Sequence, residues 1–361
     1  MTAAAAPPAT LYDALAQRGI VAGPDVVDLS LGTPVDPTPR IAREALAAAA
    51  DAPGYPAVHG TPALREAIAG WFERRRGVSG LDPLATMPSV GSKELIALLP
   101  VLLGVGVGAV VTFPRLAYPT YAAGARFSGA TAVATDEPTA LPGAGIAWVN
   151  SPSNPTGRVA GVDELRAVVA WARRTGTVVV SDECYAEMGW DAAPVSLLHP
   201  DVCGGDHTGL LVTYSLSKQS NLAGYRAALV AGDAALVARL VEARKHAGLI
   251  VSRPVQAAMT ACLQDDAHVA EQRERYAARR EVLRAAVEAA GLRVAHSEAG
   301  LYLWCTRGES CWDTAAALAQ AGVLVAPGAF YGDDGDQHVR LALTVTDERL
   351  AIAAERLSQL V

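Results

Sequence analysis

The chain has 361 residues, 51% hydrophobic and 19% charged, so it is long enough for two domains and too apolar for general disorder. Its formal charge of −7 lacks the basic footprint that a nucleic-acid partner requires, and leaves small-molecule chemistry open. Five widely spaced cysteines make neither a disulfide framework nor a zinc site, Cys203 with Asp206 and His207 included, so a reducing cytoplasm and no bound metal are expected.

Residues 1–10 are Ala/Pro-rich and expected to fray, and they lack the basic start and apolar stretch of a signal peptide. Residues 26–31 read as a short strand ending in the Gly32-Thr33-Pro34 turn. Thr61-Pro62 opens a helix with a hydroxyl cap and a proline in the first turn; Leu64, Ile68, Trp71 and Phe72 share its core face. Residues 95–114 carry no charge, but Pro100 and glycines 104, 106 and 108 interrupt them. They read as a helix over 93–103, a turn and a strand over 109–113, not as a membrane span. The turn spells GVGVG, yet it precedes a strand, whereas a dinucleotide fingerprint runs strand, glycines, helix.

Further strands fit at 146–150, 177–181, 210–214 and 227–231, with helices at 118–128 and 163–175. The alternation predicts an α/β fold, with a mostly parallel central sheet sandwiched by helices over residues 45–245. Ligands of such sheets gather beyond the carboxyl ends of the strands, where the polar clusters at 150–157, 181–185 and 215–226 fall. After residue 245 come a charged helix over 265–290, strand-like stretches at 292–296, 301–305, 323–326 and 339–343, and a closing helix capped by Thr346. They predict a smaller α+β domain over 246–361, to which residues 1–44 return.

At 215–226 the sequence reads SLSKQSNLAGYR. A lysine in a polar loop is by default a solvated side chain. Here Ser215 and Arg226 offer a hydroxyl and a fixed cation suited to a phosphate, which points to chemistry. NSPSNPTG at 150–157 is made of turn residues. Asp182 closes an all-valine run, and Gly91-Ser92-Lys93 precedes a helix as an anion-binding helix start requires.

In this order these stretches resemble the class I/II aminotransferases of the type I pyridoxal-phosphate fold, over nearly the whole chain from Gly32 to Arg340. The resemblance implies a transaminase with pyridoxal 5'-phosphate as cofactor. Lys218, in the pattern SxSKxxxxxGxR, would be the catalytic lysine that joins the cofactor covalently. Ser215, Ser217 and Arg226, with the backbone donors of Ser92 and Lys93, would hold its phosphate. The 150–157 stretch looks like the family's NPxNPTG loop, which implies that Asn154 meets the ring oxygen. By the same resemblance Asp182 pairs with the ring nitrogen, Tyr185 with the ring oxygen, and Tyr118 stacks on the ring. Tyr55, in Gly54-Tyr55-Pro56, resembles the tyrosine that reaches the phosphate of a neighbouring subunit, which implies a homodimer with a shared site. Gly32, Asn154 and Arg340 fall at substrate positions, with Arg340 as the planar fork for the α-carboxylate of amino-acid and keto-acid substrates.

Longer stretches at 29–37, 88–95 and 181–190 are similar to the succinyldiaminopimelate aminotransferases of actinobacteria, a group serving lysine and cell-wall precursor synthesis. A substrate with several carboxylates asks for more cations, and Lys93, Arg115 and Arg253 are the chemical candidates. Arg253 stands where a small residue is expected in that group. Two rival classes remain open: a carbon–sulfur lyase of the same fold, and a non-catalytic ligand-sensing relative. Against the second, residues 1–30 are too short for a helix-turn-helix module.

Overall fold

A computed structural model describes residues 10–20, 23 and 25–360, so all but the last residue of the stretch expected to fray lies outside it. The strands, in chain order, are β1 (Val27–Asp28), β2 (Thr86–Val90), β3 (Val110–Phe113), β4 (Thr131–Ala134), β5 (Ile146–Asn150), β6 (Val178–Asp182), β7 (Leu210–Ser215) and β8 (Ala227–Gly232). They continue with β9 (Arg293–His296), β10 (Tyr302–Thr306), β11 (Val323–Leu324), β12 (Ala326–Pro327) and β13 (Val339–Ala342).

The large sheet has seven strands in the order β2-β8-β7-β6-β5-β3-β4. Neighbours from β7 through β4 are parallel, and β8 runs antiparallel to both β7 and β2. β7 and β8 are buried along their whole length, as strands covered on both faces must be. Helices pack on both sides of it, and the four-stranded sheet β12-β13-β10-β9 stands apart.

The direction of β8 positions the site. Because β8 is reversed, its beginning lies at the edge where β5, β6 and β7 end. β2, antiparallel to β8, ends at that edge too, with Val90 opposite Ala227. Five strand ends, on four stretches of chain remote in sequence, therefore open onto one rim.

The helix Pro62–Arg76 shows local coding agreeing with packing. Thr61 Oγ1 accepts from Leu64 N at 3.2 Å, Pro62 fills the first turn, and Gly77 closes it in the left-handed conformation. Leu64, Ile68, Trp71 and Phe72 are all buried. The helix Asp347–Ser358 begins on Thr346 in the same way. Among the described residues no helix is long and apolar enough to cross a membrane. All five cysteines are free and buried.

Two strands differ from expectation. The stretch at 26–31 shrinks to β1, because residues 30–32 give their carbonyls to side chains instead of to a strand partner. The stretch at 323–326 divides: β11 pairs in parallel with β1, whereas β12 joins the four-stranded sheet β12-β13-β10-β9. β1 thus ties the N-terminal segment to the C-terminal part of the chain. β2 and β4, unread in the sequence, complete the two edges of the large sheet.

Candidate active site

Lys218 lies on the short helix Leu216–Gln219 that follows β7 directly. Its Nζ donates to the carbonyl of Gly32. Burial pulls its ammonium below the ordinary lysine value. Ser215 Oγ donates to Ser217 Oγ at 2.8 Å, and both serines are buried.

The helix Ser92–Leu102 starts at Gly91 with no side chain capping it, so its first amide groups remain available. Gly91 has φ 78°, and a Cβ there would overlap the Arg226 guanidinium. Arg226 is itself left-handed (φ 58°), donates from Nη1 to the Ala223 carbonyl at 2.8 Å, and keeps Nη2 beside Gly91. A helix N-terminus and a guanidinium pressed together form a concave positive site for an anion.

Asp182 ends β6. Its buried carboxylate accepts from Tyr121 Oη at 2.8 Å and from Cys184 N at 3.2 Å, two neutral donors. Burial pushes its carboxyl above the usual range. Burial, with Asp182 beside it, also pushes the Cys184 thiol well up, so that sulfur is protonated and no nucleophile. Tyr121 stacks on Trp148 (5.0 Å between ring centres) and meets Tyr118 edge-on at 6.0 Å. Burial pushes the Tyr118 phenol up, and Lys93 Nζ stands 5.9 Å from the centre of that ring.

Arg340, on β13, is buried. It donates from Nη1 to Asn154 Oδ1 and from Nη2 to the Ser30 carbonyl, each at 2.6 Å. Its guanidinium carbon lies 3.9 Å from the Tyr302 ring centre and 4.8 Å from that of Tyr331. Its buried Nε has no hydrogen-bond partner. Tyr185 and Tyr302 join hydroxyl to hydroxyl at 2.9 Å. Asn154 is fixed from behind, its amide donating to Asn150 Oδ1 at 2.8 Å. Asp36 paired with Arg279, and Pro37 O accepting from Asn221, pin the segment that carries Gly32.

One cluster thus gathers Gly32, Asn154, Asp182, Tyr185, Lys218 and Arg340, with Ser92, Lys93, Tyr118, Ser215, Ser217 and Arg226 at its margin. Three expected residues stand outside it. Tyr55 is fully exposed and makes no side-chain hydrogen bond to the other described residues. Arg253 is exposed on the first turn of the helix Arg253–Gln264 with no hydrogen bond to the cluster. Arg115 is spent on Asp334, with bonds of 2.5 and 2.6 Å. Tyr121, Tyr302 and Tyr331 belong to the cluster but sit in no motif; only their aromatic character on buried elements marks them. A separate cleft of about 560 Å³ touches Asn150, Ser153 and Thr156 but reaches neither Lys218 nor Arg340.

The donor set fits a phosphorylated pyridine. The positive cradle at Gly91 and Arg226 suits its phosphate, Asp182 without a cation suits a protonated ring nitrogen, and Lys218 lies between them and Arg340. Fold and site together define a pyridoxal-phosphate transferase. The family described as aminotransferase class I and II matches residues 24–357, and the chain belongs to it. Members of this family use pyridoxal phosphate, and this protein is a transaminase.

The transaminase OxyQ of Streptomyces rimosus, named for 4-dedimethylamino-4-oxo-anhydrotetracycline, is 61% identical over 345 residues, covering 95% of this chain and 96% of its own. The probable aminotransferase Rv1178 of Mycobacterium tuberculosis is 59% identical, over 97% of this chain and 84% of its own. Among solved structures, the N-succinyldiaminopimelate aminotransferase of Mycobacterium tuberculosis superposes with a TM-score of 0.86 at 28% identity, over 96% of this chain and 95% of that one.

Proposed function

We propose that this enzyme moves the amino group between glutamate and N-succinyl-2-amino-6-ketopimelate, forming N-succinyl-LL-2,6-diaminopimelate, in the cytoplasm as a homodimer. The observation that carries an α-carboxylate substrate is Arg340: a buried fork between two phenol rings, with Nε unpaired. The resemblance at 29–37, 88–95 and 181–190 and the succinyldiaminopimelate enzyme among the structural neighbours support the acceptor. Lys93, exposed beside Tyr118, would meet a distal carboxylate. The five reduced cysteines fit a reducing compartment.

In this reading residues 45–245 form the cofactor domain, and 246–361 with 1–44 the smaller one. The backbone amides of Ser92 and Lys93, with Ser215, Ser217 and Arg226, hold the phosphate, and the partner subunit's Tyr55 completes that shell. Asp182 would hold a proton on the ring nitrogen, Asn154 and Tyr185 would hydrogen-bond the ring oxygen, and Tyr118 would cover the ring. When bound, the cofactor supplies an aldehyde for the substrate amine and a ring that accepts the electron pair of the broken Cα–H bond. Gly32 and Arg340 orient the substrate carboxylate. Lys218 Nζ would take and hold the proton from the substrate Cα, a task that suits an amine with a depressed pKa.

Holoenzyme mixed with glutamate and this acceptor is expected to release one 2-oxoglutarate per acceptor consumed. Release of ammonia and pyruvate from a sulfur amino acid, without amino transfer from glutamate, would overturn the reading in favour of a carbon–sulfur lyase. The 61% identity to OxyQ favours a second acceptor class, a polycyclic ketone. The same assay with a ring ketone in place of the keto acid separates the two.

A further inference from the structure

We propose that Tyr302 is a positioning residue of the amino-transfer site: its hydroxyl sets the hydroxyl of Tyr185 while its ring carries the guanidinium of Arg340. The proposal rests on the reading above, in which Tyr185 meets the cofactor and Arg340 the substrate. One side chain then fixes the ring-oxygen contact and the carboxylate clamp relative to each other.

Tyr302 opens β10 and is 3% exposed. On the paired strands Trp304 stands opposite Arg340 and Tyr302 opposite Ala342, so Tyr302 and Arg340 are diagonal neighbours on one face. That register brings the guanidinium carbon within 3.9 Å of the phenol ring centre. Along its other edge the ring meets Tyr185 at 71°, centres 5.6 Å apart, with the hydroxyls 2.9 Å apart. Its hydroxyl also fills the space that a Cβ on Gly32 would occupy. Gly32 is therefore required to be glycine by Tyr302, and the same Gly32 accepts the Lys218 ammonium through its carbonyl. Tyr302 touches three components of the site at once.

Arg340, Lys218, Tyr185 and Cys184 face the Tyr302 phenol, and Tyr118, Tyr276 and Tyr331 interact with it as well. Burial works to raise that phenol, but the two cations Arg340 and Lys218 bring it below its ordinary value. Burial pushes Tyr185 well up. At 2.9 Å the Tyr302 hydroxyl is the hydrogen-bond partner that holds the Tyr185 hydroxyl in place. A phenylalanine here would keep the platform under Arg340 and lose this orientation.

The test is a double-mutant cycle of Tyr302→Phe and Tyr185→Phe, with Tyr302→Leu as a separate probe of the platform. In holoenzyme we expect Tyr302→Phe to shift the pH midpoint of the cofactor absorption band by at least about half a unit and to lower kcat about tenfold, with KM for glutamate held within about threefold. Tyr302→Leu is expected to raise that KM roughly tenfold as well. The double Phe variant should match Tyr185→Phe within about twofold, since the hydroxyl acts through Tyr185. A Tyr302→Phe enzyme that titrates as the wild type, or whose loss multiplies in full with that of Tyr185→Phe, overturns the role. Ultraviolet titration of the cofactor-free protein gives an independent readout: a tyrosine ionising below its ordinary value should vanish in Tyr302→Phe, and its persistence overturns the assignment. Failure of wild-type holoenzyme to form 2-oxoglutarate from glutamate would instead overturn the amino-transfer reading, with the ultraviolet titration still deciding Tyr302.

Discussion

Asp182→Asn separates stability from cofactor binding. The carboxylate is buried and holds two neutral donors, Tyr121 Oη and Cys184 N. Asparagine is nearly isosteric and can keep both bonds, its oxygen accepting from Cys184 N while its amide donates to a Tyr121 hydroxyl turned to accept. Hydrogen bonds are conserved and a buried charge is lost, so cofactor-free variant and wild type should agree within about 1 kcal/mol at neutral pH, any difference favouring the variant. The holoenzyme behaves oppositely. Removing one member of a buried ion pair costs about 3–5 kcal/mol, equivalent to a loss of roughly 10²–10⁴ in cofactor affinity. Because the folded Asp182 pKa lies above its unfolded value, the folded state holds the proton longer. Wild-type cofactor-free protein therefore loses stability relative to the variant as pH rises from the unfolded carboxylate value through the raised folded one. Thermal unfolding of both cofactor-free proteins across that range, together with absorbance titration with pyridoxal phosphate, reads all three quantities. A variant that binds the cofactor with wild-type affinity would falsify the pairing; one that unfolds several kcal/mol more easily without cofactor would show that Asp182 serves the fold.

Arg340→Lys loses the fork to Asn154 and Ser30 and the stack on Tyr302, so kcat/KM for glutamate should fall by about 10²–10³; a change under fivefold would rule out the carboxylate clamp. Lys218→Met should abolish amino transfer. It should also remove a stability gain at alkaline pH: with the folded lysine pKa depressed, the unfolded chain holds more protons between that value and the free one, so wild-type cofactor-free protein gains stability as pH rises through this window. Melting curves of both proteins from neutral to alkaline pH check this, and parallel curves would contradict a buried amine. Tyr55→Ala, at a fully exposed position, should leave the unfolding of the cofactor-free chain within about 0.5 kcal/mol yet weaken pyridoxal phosphate binding by roughly tenfold; unchanged affinity would remove the shared-site reading.

Much of the fold was legible in the chain because its signals are local. A valine run marked β6 and apolar runs marked β5 and β7, Thr61-Pro62 and Thr346 started their helices, and the polar stretches at 150–157, 181–185 and 215–226 fell at strand ends as parallel sheets require. Lys218, Asp182 and Arg340 were singled out by the ordered resemblance of their stretches to the family, and the fold gathers them in one cluster. What the chain alone left open depends on long-range pairing. Only the reversed direction of β8 brings Arg226 beside Gly91, and only the β10–β13 register lays Tyr302 under Arg340. Tyr121 and Tyr331 enter the site through packing, which a single aromatic letter does not announce. Arg115 had the right charge for a substrate and was claimed by Asp334, since a surface cation goes to the nearest carboxylate the fold supplies. The sequence by itself determined which chemistry is available; the tertiary structure decided which groups meet, because contact between residues far apart in the chain is set by sheet order and register.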